Sequence, residues 1–206
     1  MQHSLFDDKP TYYASLAELI DQMMQMDDDP LADAGTNVVI CRGNPQAKIM
    51  IVGEAPGPQE NVIGKPFVGK AGQLLDQILQ AAKFDPEKDV FISNSVFRMP
   101  PGDDGKNFRK PTNEEIEYYK PYLLEIIRLV DPKILLLTGN VATQSLLGKT
   151  GITKLRGQWF DWNGRFVMPI FHPSYLLRNP SRQPGGPKSL TWQDIREVRR
   201  KFDELA

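Results

Sequence analysis

The chain has 206 residues, 40% hydrophobic and 25% charged, as expected for one globular domain. It has no apolar run near the roughly 20 residues that a membrane span requires, and its N-terminus lacks a signal-peptide pattern. The single cysteine, Cys41, excludes an intrachain disulfide framework and a Cys-rich metal site. We therefore expect a cytoplasmic protein with no membrane association and no bound metal.

The net charge of −1 hides an asymmetry. Residues 1–34 contain eight acidic residues and one basic residue, which leaves 18 acidic and 24 basic residues in 35–206. A moderately basic body permits a polyanionic partner, although a solvated surface accounts for the same charges. We predict an acidic N-terminal extension over 1–34 and a single domain over 35–206.

Taken in chain order, the sequence alternates predicted helices and strands. The capping-box pair Ser15 and Glu18 predicts one helix in the acidic extension. The predicted strands cover 38–41, 48–52, 89–96 and 134–137, and a predicted hairpin has arms at 159–162 and 166–170. The predicted helices cover 70–84, 116–130, 139–147 and a last segment capped by Thr191. This order predicts a three-layer α/β/α domain around a central, mostly parallel four-stranded sheet.

A glycine- and proline-rich loop follows the predicted strand 48–52 and contains Glu54 close to its start. A helix begins after Gly69, so the segment reads as strand, polar loop and helix. Ligands of parallel α/β sheets bind at the carboxyl ends of strands. The loop is thus a candidate site, although glycines that only turn the chain would give the same pattern.

Three further side chains lie close to this edge of the predicted sheet. His172 follows the second hairpin arm, Asn94 lies in the last residues of the strand 89–96, and Phe67 lies in the glycine-rich loop. Each of these side chains could instead have a purely structural role. The other histidine, His3, lies near the N-terminus. Together with Glu54 they provide an aromatic surface, an amide, an imidazole and a carboxylate, which suits a flat heterocycle.

Three separated segments resemble the motifs of the family-four uracil-DNA glycosylases, in the same order. They are Gly53-Glu54-Ala55-Pro56-Gly57 with Glu60 and Gly64-Lys65-Pro66-Phe67-Val68-Gly69, then Asn94 with Pro100-Pro101-Gly102, and finally His172-Pro173-Ser174-Tyr175-Leu176-Leu177-Arg178-Asn179-Pro180. The resemblance extends from about residue 36 to the C-terminus. It implies a DNA repair enzyme that flips uracil out of DNA and hydrolyses its glycosidic bond.

The resemblance also assigns roles to residues. Glu54 and His172 would be catalytic; Gly53, Ala55, Glu60, Phe67 and Asn94 would bind the substrate base; Gly57, Ser174, Leu176 and Arg178 would bind DNA, extended by Lys106, Arg109 and Lys110. Leu176 would be the wedge that fills the gap left by the flipped base, although a core leucine is an equal interpretation. The partner would be uracil-containing DNA, bound by a monomer that associates with the nucleoid.

Two departures from the family pattern bear on cofactors and specificity. That family usually holds a [4Fe–4S] cluster on four cysteines, and this chain has Arg98 and Tyr119 where two of them would lie. Cys41 alone does not supply the four thiolates that a cluster needs, so we expect no iron–sulfur cluster. The second departure is Asn61, where the family more often has an acid.

Two other classes of protein remain open at this point. The same fold could bind damaged DNA without cutting it, which the missing cysteines and Asn61 favour. A nucleotide-binding α/β protein is also consistent with a glycine-rich loop, but the loop lacks G-x-G-x-x-G and the P-loop spacing.

Overall fold

The computed structural model describes residues 12–102 and 108–205, and within them the chain forms one six-stranded sheet. The strands are β1 (Cys41–Gly43), β2 (Ile49–Gly53), β3 (Val90–Asn94), β4 (Ile134–Thr138), β5 (Phe160–Trp162) and β6 (Arg165–Ile170). Their order across the sheet is β1-β3-β2-β4-β6-β5. The central β3, β2, β4 and β6 are parallel, whereas β1 and β5 are antiparallel edge strands.

Eight α-helices connect and cover these strands in the described part of the chain. They are α1 (Leu16–Met24), α2 (Pro58–Ile63), α3 (Lys70–Ala81), α4 (Asn113–Val130), α5 (Gly139–Leu147), α6 (Ile152–Leu155), α7 (Pro173–Arg178) and α8 (Pro187–Glu204). None of the helices found in residues 12–102 and 108–205 is both long and apolar enough to cross a membrane.

The helices form one layer on each face of the sheet. Successive residues of a strand point to opposite faces, so Met50 and Val52 of β2 join the core with α1, α4 and α5. Ile49 and Ile51 point the other way and join a second core with α3 and α8. Both faces of β2, β3 and β4 are therefore buried, which explains their nearly uninterrupted apolar sequences. The predicted three-layer α/β/α architecture is confirmed.

The predicted count of four strands describes only the parallel centre of the sheet. Both antiparallel edge strands have three residues, and β1 covers Cys41–Gly43 rather than 38–41. Val38, Val39 and Ile40 are buried core residues that precede the strand, so their apolar sequence reflects burial and not strand pairing. The hairpin around Asn163-Gly164 is present as β5 and β6.

The predicted helix cap at Ser15 is confirmed and the predicted cap at Thr191 is wrong. Ser15 accepts a hydrogen bond from the Glu18 backbone N–H, and Thr112 forms a complete capping box with Glu115. Thr191, in contrast, lies inside α8, where its hydroxyl donates to the Pro187 carbonyl at 2.9 Å. The helix begins earlier because Pro187 at its first position has the φ that a helix needs and no N–H to satisfy.

The acidic N-terminal segment packs against the body of the protein. Leu19 and Met23 of α1 are fully buried in the core that α4 also forms. The division at residue 34 remains a prediction. His3 lies outside the described residues.

Candidate active site

The carboxyl ends of the four parallel strands meet at one edge of the sheet. Glu54 directly follows β2, Asn94 ends β3, Gly139 directly follows β4, and His172 comes two residues after β6. The chain passes from β2 to β3 on one side and then to β4 on the other, so β2 and β4 flank a topological switch point. Residues from distant parts of the sequence therefore converge where ligands of open α/β sheets bind.

A cleft of about 840 Å³ opens at this edge. Nine of the predicted site residues line it: Glu54, Ala55, Gly57, Glu60, Phe67, Asn94, His172, Ser174 and Arg178. Gly53 and Leu176 lie behind its wall. The cleft thus brings together the predicted carboxylate, aromatic ring, amide and imidazole.

The hydrogen bonds of His172 fix which ring nitrogen carries the proton. Nδ1 accepts the Ser174 backbone N–H at 3.2 Å and lies 2.8 Å from the Ser174 hydroxyl. A backbone N–H only donates, so Nδ1 is unprotonated and a neutral imidazole carries its proton on Nε2. Burial, helped by the positive charge of Arg178, lowers the pKa of His172 to about 4. At neutral pH the ring is therefore an uncharged hydrogen-bond donor.

Gly139 allows the imidazole to approach the end of β4. Its φ is 83°, a left-handed conformation that disfavours other residues, and a Cβ there would lie 3.2 Å from the His172 Cβ. A side chain at this position would push the imidazole outward.

Two of the described carboxylates line the cleft, and Glu54 is the one that the loop backbone does not engage. Burial raises its pKa above the ordinary value, while the positive charges of Lys110 and Arg178 act in the opposite direction. Within the described residues its carboxylate oxygens accept no hydrogen bond from the protein. The two cations therefore favour the ionised form of a carboxylate that is available to a ligand.

Phe67 and Asn94 both pack over Gly53 at the end of β2. A Cβ at Gly53 would overlap the Phe67 ring and the Asn94 Oδ1 atom, so only glycine leaves room for both side chains. Asn94 is 2% exposed, and its amide forms no hydrogen bond with any described residue. An amide that lines the cleft and has no partner among the described residues suits a polar ligand there.

Glu60 and Asn61 hold the glycine-rich loop in place. Glu60 accepts the Val68 and Gly69 backbone N–H groups at 2.9 and 2.7 Å, immediately before α3 begins. Asn61 accepts two hydrogen bonds from Asn37, one from its backbone N–H and one from its side-chain amide, each 2.7 Å long. The Glu60 carboxylate is therefore engaged by the loop backbone at the wall of the cleft.

The predicted wedge residue Leu176 is buried, with 1% of its surface exposed. It lies on the inward face of α7, so in this structure it is a core leucine and is not available to DNA. Leu177, the next residue, is 42% exposed and lines the cleft together with Tyr175. Leu176 and Leu177 are adjacent in the middle of the motif, and nothing in the sequence distinguishes the inward from the outward side chain.

The lining of the cleft also includes residues that were not predicted and two of the three basic residues predicted to extend the DNA contact. Asn140, Ile152 and Phe171 also line it, and no chemical pattern in the sequence marks them. Arg109 and Lys110, predicted to contact DNA, line the cleft as well, whereas Lys106 lies outside the described residues.

Comparison with known proteins agrees with this geometry. The family model of the uracil DNA glycosylase superfamily matches residues 41–196. The chain belongs to this superfamily. It is 42% identical to a type-4 uracil-DNA glycosylase of Thermotoga maritima, over 75% of this chain and 79% of the relative. It is 36% identical to a type-4 enzyme of Sulfurisphaera tokodaii, over 80% and 74% of the two chains. A type-5 uracil-DNA glycosylase of Thermus thermophilus is more distant, at 29% identity over 80% and 78%.

Within this superfamily member, Arg98 and Tyr119 occupy a buried polar network centred on Asp29. Arg98 Nε donates to Asp29 at 2.8 Å, the Tyr119 hydroxyl donates to the other carboxylate oxygen, and Arg98 also donates to the carbonyls of Met26 and Thr36. Burial and the Asp29 hydrogen bond raise the pKa of Tyr119, so the phenol stays protonated.

This donor set does not fit an iron–sulfur cluster. A guanidinium and a protonated phenol do not replace thiolates, and they are already engaged with Asp29. Burial raises the pKa of the Cys41 thiol to about 11, so this side chain is not a thiolate either. No group of three potential metal ligands occurs among the described residues.

Proposed function

We propose that this chain is a uracil-DNA glycosylase, which binds uracil flipped out of DNA and hydrolyses the bond between uracil N1 and the sugar C1′. The observation that carries the proposal is the cleft in which Glu54, Asn94 and His172 converge from three strand ends and meet Phe67 of the glycine-rich loop. The membership of the superfamily and the similarity to type-4 enzymes support the same activity.

His172 stabilises the leaving base. As the N-glycosidic bond breaks, its electron pair leaves with uracil and negative charge develops on the O2 atom. The protonated Nε2 of a neutral imidazole donates a hydrogen bond to that oxygen, and the bond strengthens as the charge grows. The low pKa of His172 ensures that the imidazole does this without a formal charge.

Glu54 stabilises the other half of the transition state. Positive charge develops on the sugar as the base departs, and an ionised carboxylate lowers its energy. The same carboxylate orients the water whose oxygen forms the new bond to C1′; the water loses one proton as this bond forms, and the uracil anion takes up one proton from solvent. An abasic site and free uracil are the products.

Asn94 and Phe67 bind the base itself. The Asn94 side-chain oxygen accepts from uracil N3–H and its NH₂ group donates to O4, a pattern that cytosine reverses. Phe67 stacks on the face of the base, which in nucleic-acid sites contributes about 1–3 kcal/mol per base. Gly53, Ala55 and Glu60 shape the wall around it.

The outer part of the cleft contacts the DNA. Arg178 and Lys110 are exposed at its rim and approach phosphates, as do the backbone N–H groups near Gly57. Ser174 lines the same cleft, but its own N–H donates to His172. Leu177, rather than the buried Leu176, enters the space that the flipped base leaves.

We also propose that the enzyme works as a monomer in the cytoplasm and needs no iron–sulfur cluster. The network of Asp29, Arg98 and Tyr119 supplies the cross-links where cluster ligands would lie.

The test is uracil release from oligonucleotides that carry U, T, C or hypoxanthine, followed by cleavage at abasic sites. We expect release from the U oligonucleotide, and a loss of about 10²–10³-fold in the single-turnover rate for His172→Ala and for Glu54→Gln. Glu117→Gln, which changes an exposed carboxylate of α4, is the matched control and should keep the parent rate.

Asn94→Asp tests how the base is recognised. The aspartate has no N–H to donate to O4, so uracil release should slow while discrimination against cytosine weakens. Equal rates for parent, His172→Ala and Glu54→Gln would refute the catalytic assignment. Tight binding of the U oligonucleotide without abasic sites would instead identify a binding module.

A further inference from the structure

Phe67 has an unusual backbone conformation for its role. Its φ is 54°, in the left-handed region that residues with a side chain rarely adopt, yet its ring is 6% exposed in the wall of the cleft. Gly72 permits the conformation, because a Cβ there would overlap the Phe67 carbonyl. Gly72 only leaves room for the left-handed conformation of Phe67, so an attractive contact is needed to stabilise it.

Arg42 of β1 provides that contact. Its Nε donates to the Pro66 carbonyl at 3.0 Å and its Nη2 to the Phe67 carbonyl at 3.3 Å. Successive carbonyls point the same way in helical backbone, left- or right-handed, but alternate in extended backbone. By binding both carbonyls, one guanidinium holds the two peptide units on either side of the Phe67 Cα in their present relative orientation.

Two carboxylates fix the guanidinium itself. Asp76 of α3 accepts from Nη2 at 2.6 Å and Glu87 accepts from Nη1 at 3.0 Å. The Arg42 side chain is 7% exposed, and the described lining of the cleft does not include it. Arg42 thus touches the loop from behind, on the side away from the base.

We infer that Arg42 is a positioning residue for base recognition: it holds the Phe67 backbone left-handed and thereby aims the ring at the base. This inference rests on the stacking role of Phe67 in the proposed function. Contact with both carbonyls requires the rigid, forked guanidinium of arginine. Lysine has its N–H donors on a single nitrogen.

The first test measures base-specific binding. The ligands are matched oligonucleotides with thymidine or 2′-fluoro-2′-deoxyuridine, whose fluorine destabilises the sugar cation and blocks cleavage. We expect Arg42→Met to reduce the preference for the uridine oligonucleotide by about tenfold, as loss of base stacking would. Arg42→Lys keeps the charge but not both carbonyl contacts, so it should fall between parent and Arg42→Met.

A double-mutant cycle separates positioning from general stabilisation. In a Phe67→Ala background, Arg42→Met should have no further effect on the preference, because Arg42 acts through that ring. Additive losses would overturn the inference. Arg128→Met is the matched control, since Arg128 also bonds a carboxylate and a backbone carbonyl, but on α4. It should change the melting temperature only.

A crystal structure of Arg42→Lys, or of Arg42→Met, gives a readout that does not depend on activity. We expect Phe67 to leave the left-handed region and its ring to move from the cleft. An unchanged Phe67 would overturn the inference even if the protein is an active glycosylase. Failure of the parent to release uracil, with Phe67 displaced in the variant, would refute the proposed function while the positioning effect stands.

Discussion

The rings of Phe67 and His172 lie 5.9 Å apart between centroids, inclined by 32°. This separation is within the range of interacting aromatic pairs, so the residue proposed to stack on the base also covers the residue proposed to stabilise its departure. Burial is the main cause of the low pKa of His172. Recognition of the base and control of the imidazole therefore depend on the same ring.

Phe67→Ala should accordingly raise the pKa of His172 from about 4 toward its ordinary value, because removal of the ring admits water to the imidazole. Histidine NMR titration measures this directly, since the chain contains only two histidines. His3→Gln assigns the signals, and His3 is the internal control. A His172 midpoint that stays at the parent value would contradict the shielding role of Phe67.

The acid limb of activity should follow Glu54. The raised pKa of Glu54 lies above the low pKa of His172, so lowering the pH protonates the carboxylate first and removes the negative charge that the proposed mechanism requires. Lys110→Met removes a charge that favours the ionised form, so the Glu54 pKa rises and the limb moves to higher pH.

The measurement is the single-turnover rate at saturating DNA, taken between about pH 5 and pH 8. Saturating DNA removes any effect of Lys110 on affinity. Lys133→Met, which changes an exposed cation paired with Asp131, should leave the limb in place. A limb that stays fixed or moves to lower pH in Lys110→Met would show that Glu54 does not determine it.

The adjacent leucines of α7 should separate folding from function. Leu176→Ala leaves a cavity and should lower the free energy of unfolding by about 2–5 kcal/mol. Leu177→Ala should leave stability nearly unchanged and slow uracil release from duplex DNA, with a smaller effect on single-stranded DNA, where no stacked neighbour must be replaced. Urea unfolding and rates on both substrates measure the two effects, and the reverse result would restore Leu176 as the wedge.

The polar network around Asp29 should contribute strongly to stability. Its carboxylate is fully buried and Arg98 is 11% exposed, so Asp29→Ala leaves a buried cation and should cost about 3–5 kcal/mol. Tyr119→Phe removes one hydrogen bond and should cost about 1 kcal/mol. Urea unfolding measures both.

The control is Lys133→Ala, which breaks an exposed ion pair and should change stability little. An equally small effect of Asp29→Ala would show that the network does not brace the fold.

Long periodic or apolar segments made most of the fold predictable. The strands β2, β3 and β4 are buried on both faces, and the turn signal Asn163-Gly164 placed the hairpin. The sequence did not predict α2, because proline and glycine dominate the loop around it. Its six residues instead owe their position to Glu60 and to the Asn37–Asn61 contact, which are tertiary interactions.

The candidate site was predictable in its members but not in its details. Strand ends and motifs identified Glu54, Asn94 and His172, because the topology of a parallel sheet brings such positions together. The orientation of Leu176, the hydrogen bonds of Glu60 and the role of Arg42 depend on three-dimensional packing. Arg42 is 25 residues from Phe67 in sequence, and no local pattern connects them.

Under the proposal that the enzyme needs no cluster, the brace between Asp29, Arg98 and Tyr119 has a consequence for how the protein matures. Its parts are ordinary side chains, so it forms when the chain folds and requires no assembly machinery to deliver iron and sulfide. A chain diluted out of denaturant in air should regain its activity without reconstitution. Such an enzyme would tolerate oxidants and iron starvation, conditions that inactivate proteins whose folds depend on exposed iron–sulfur clusters.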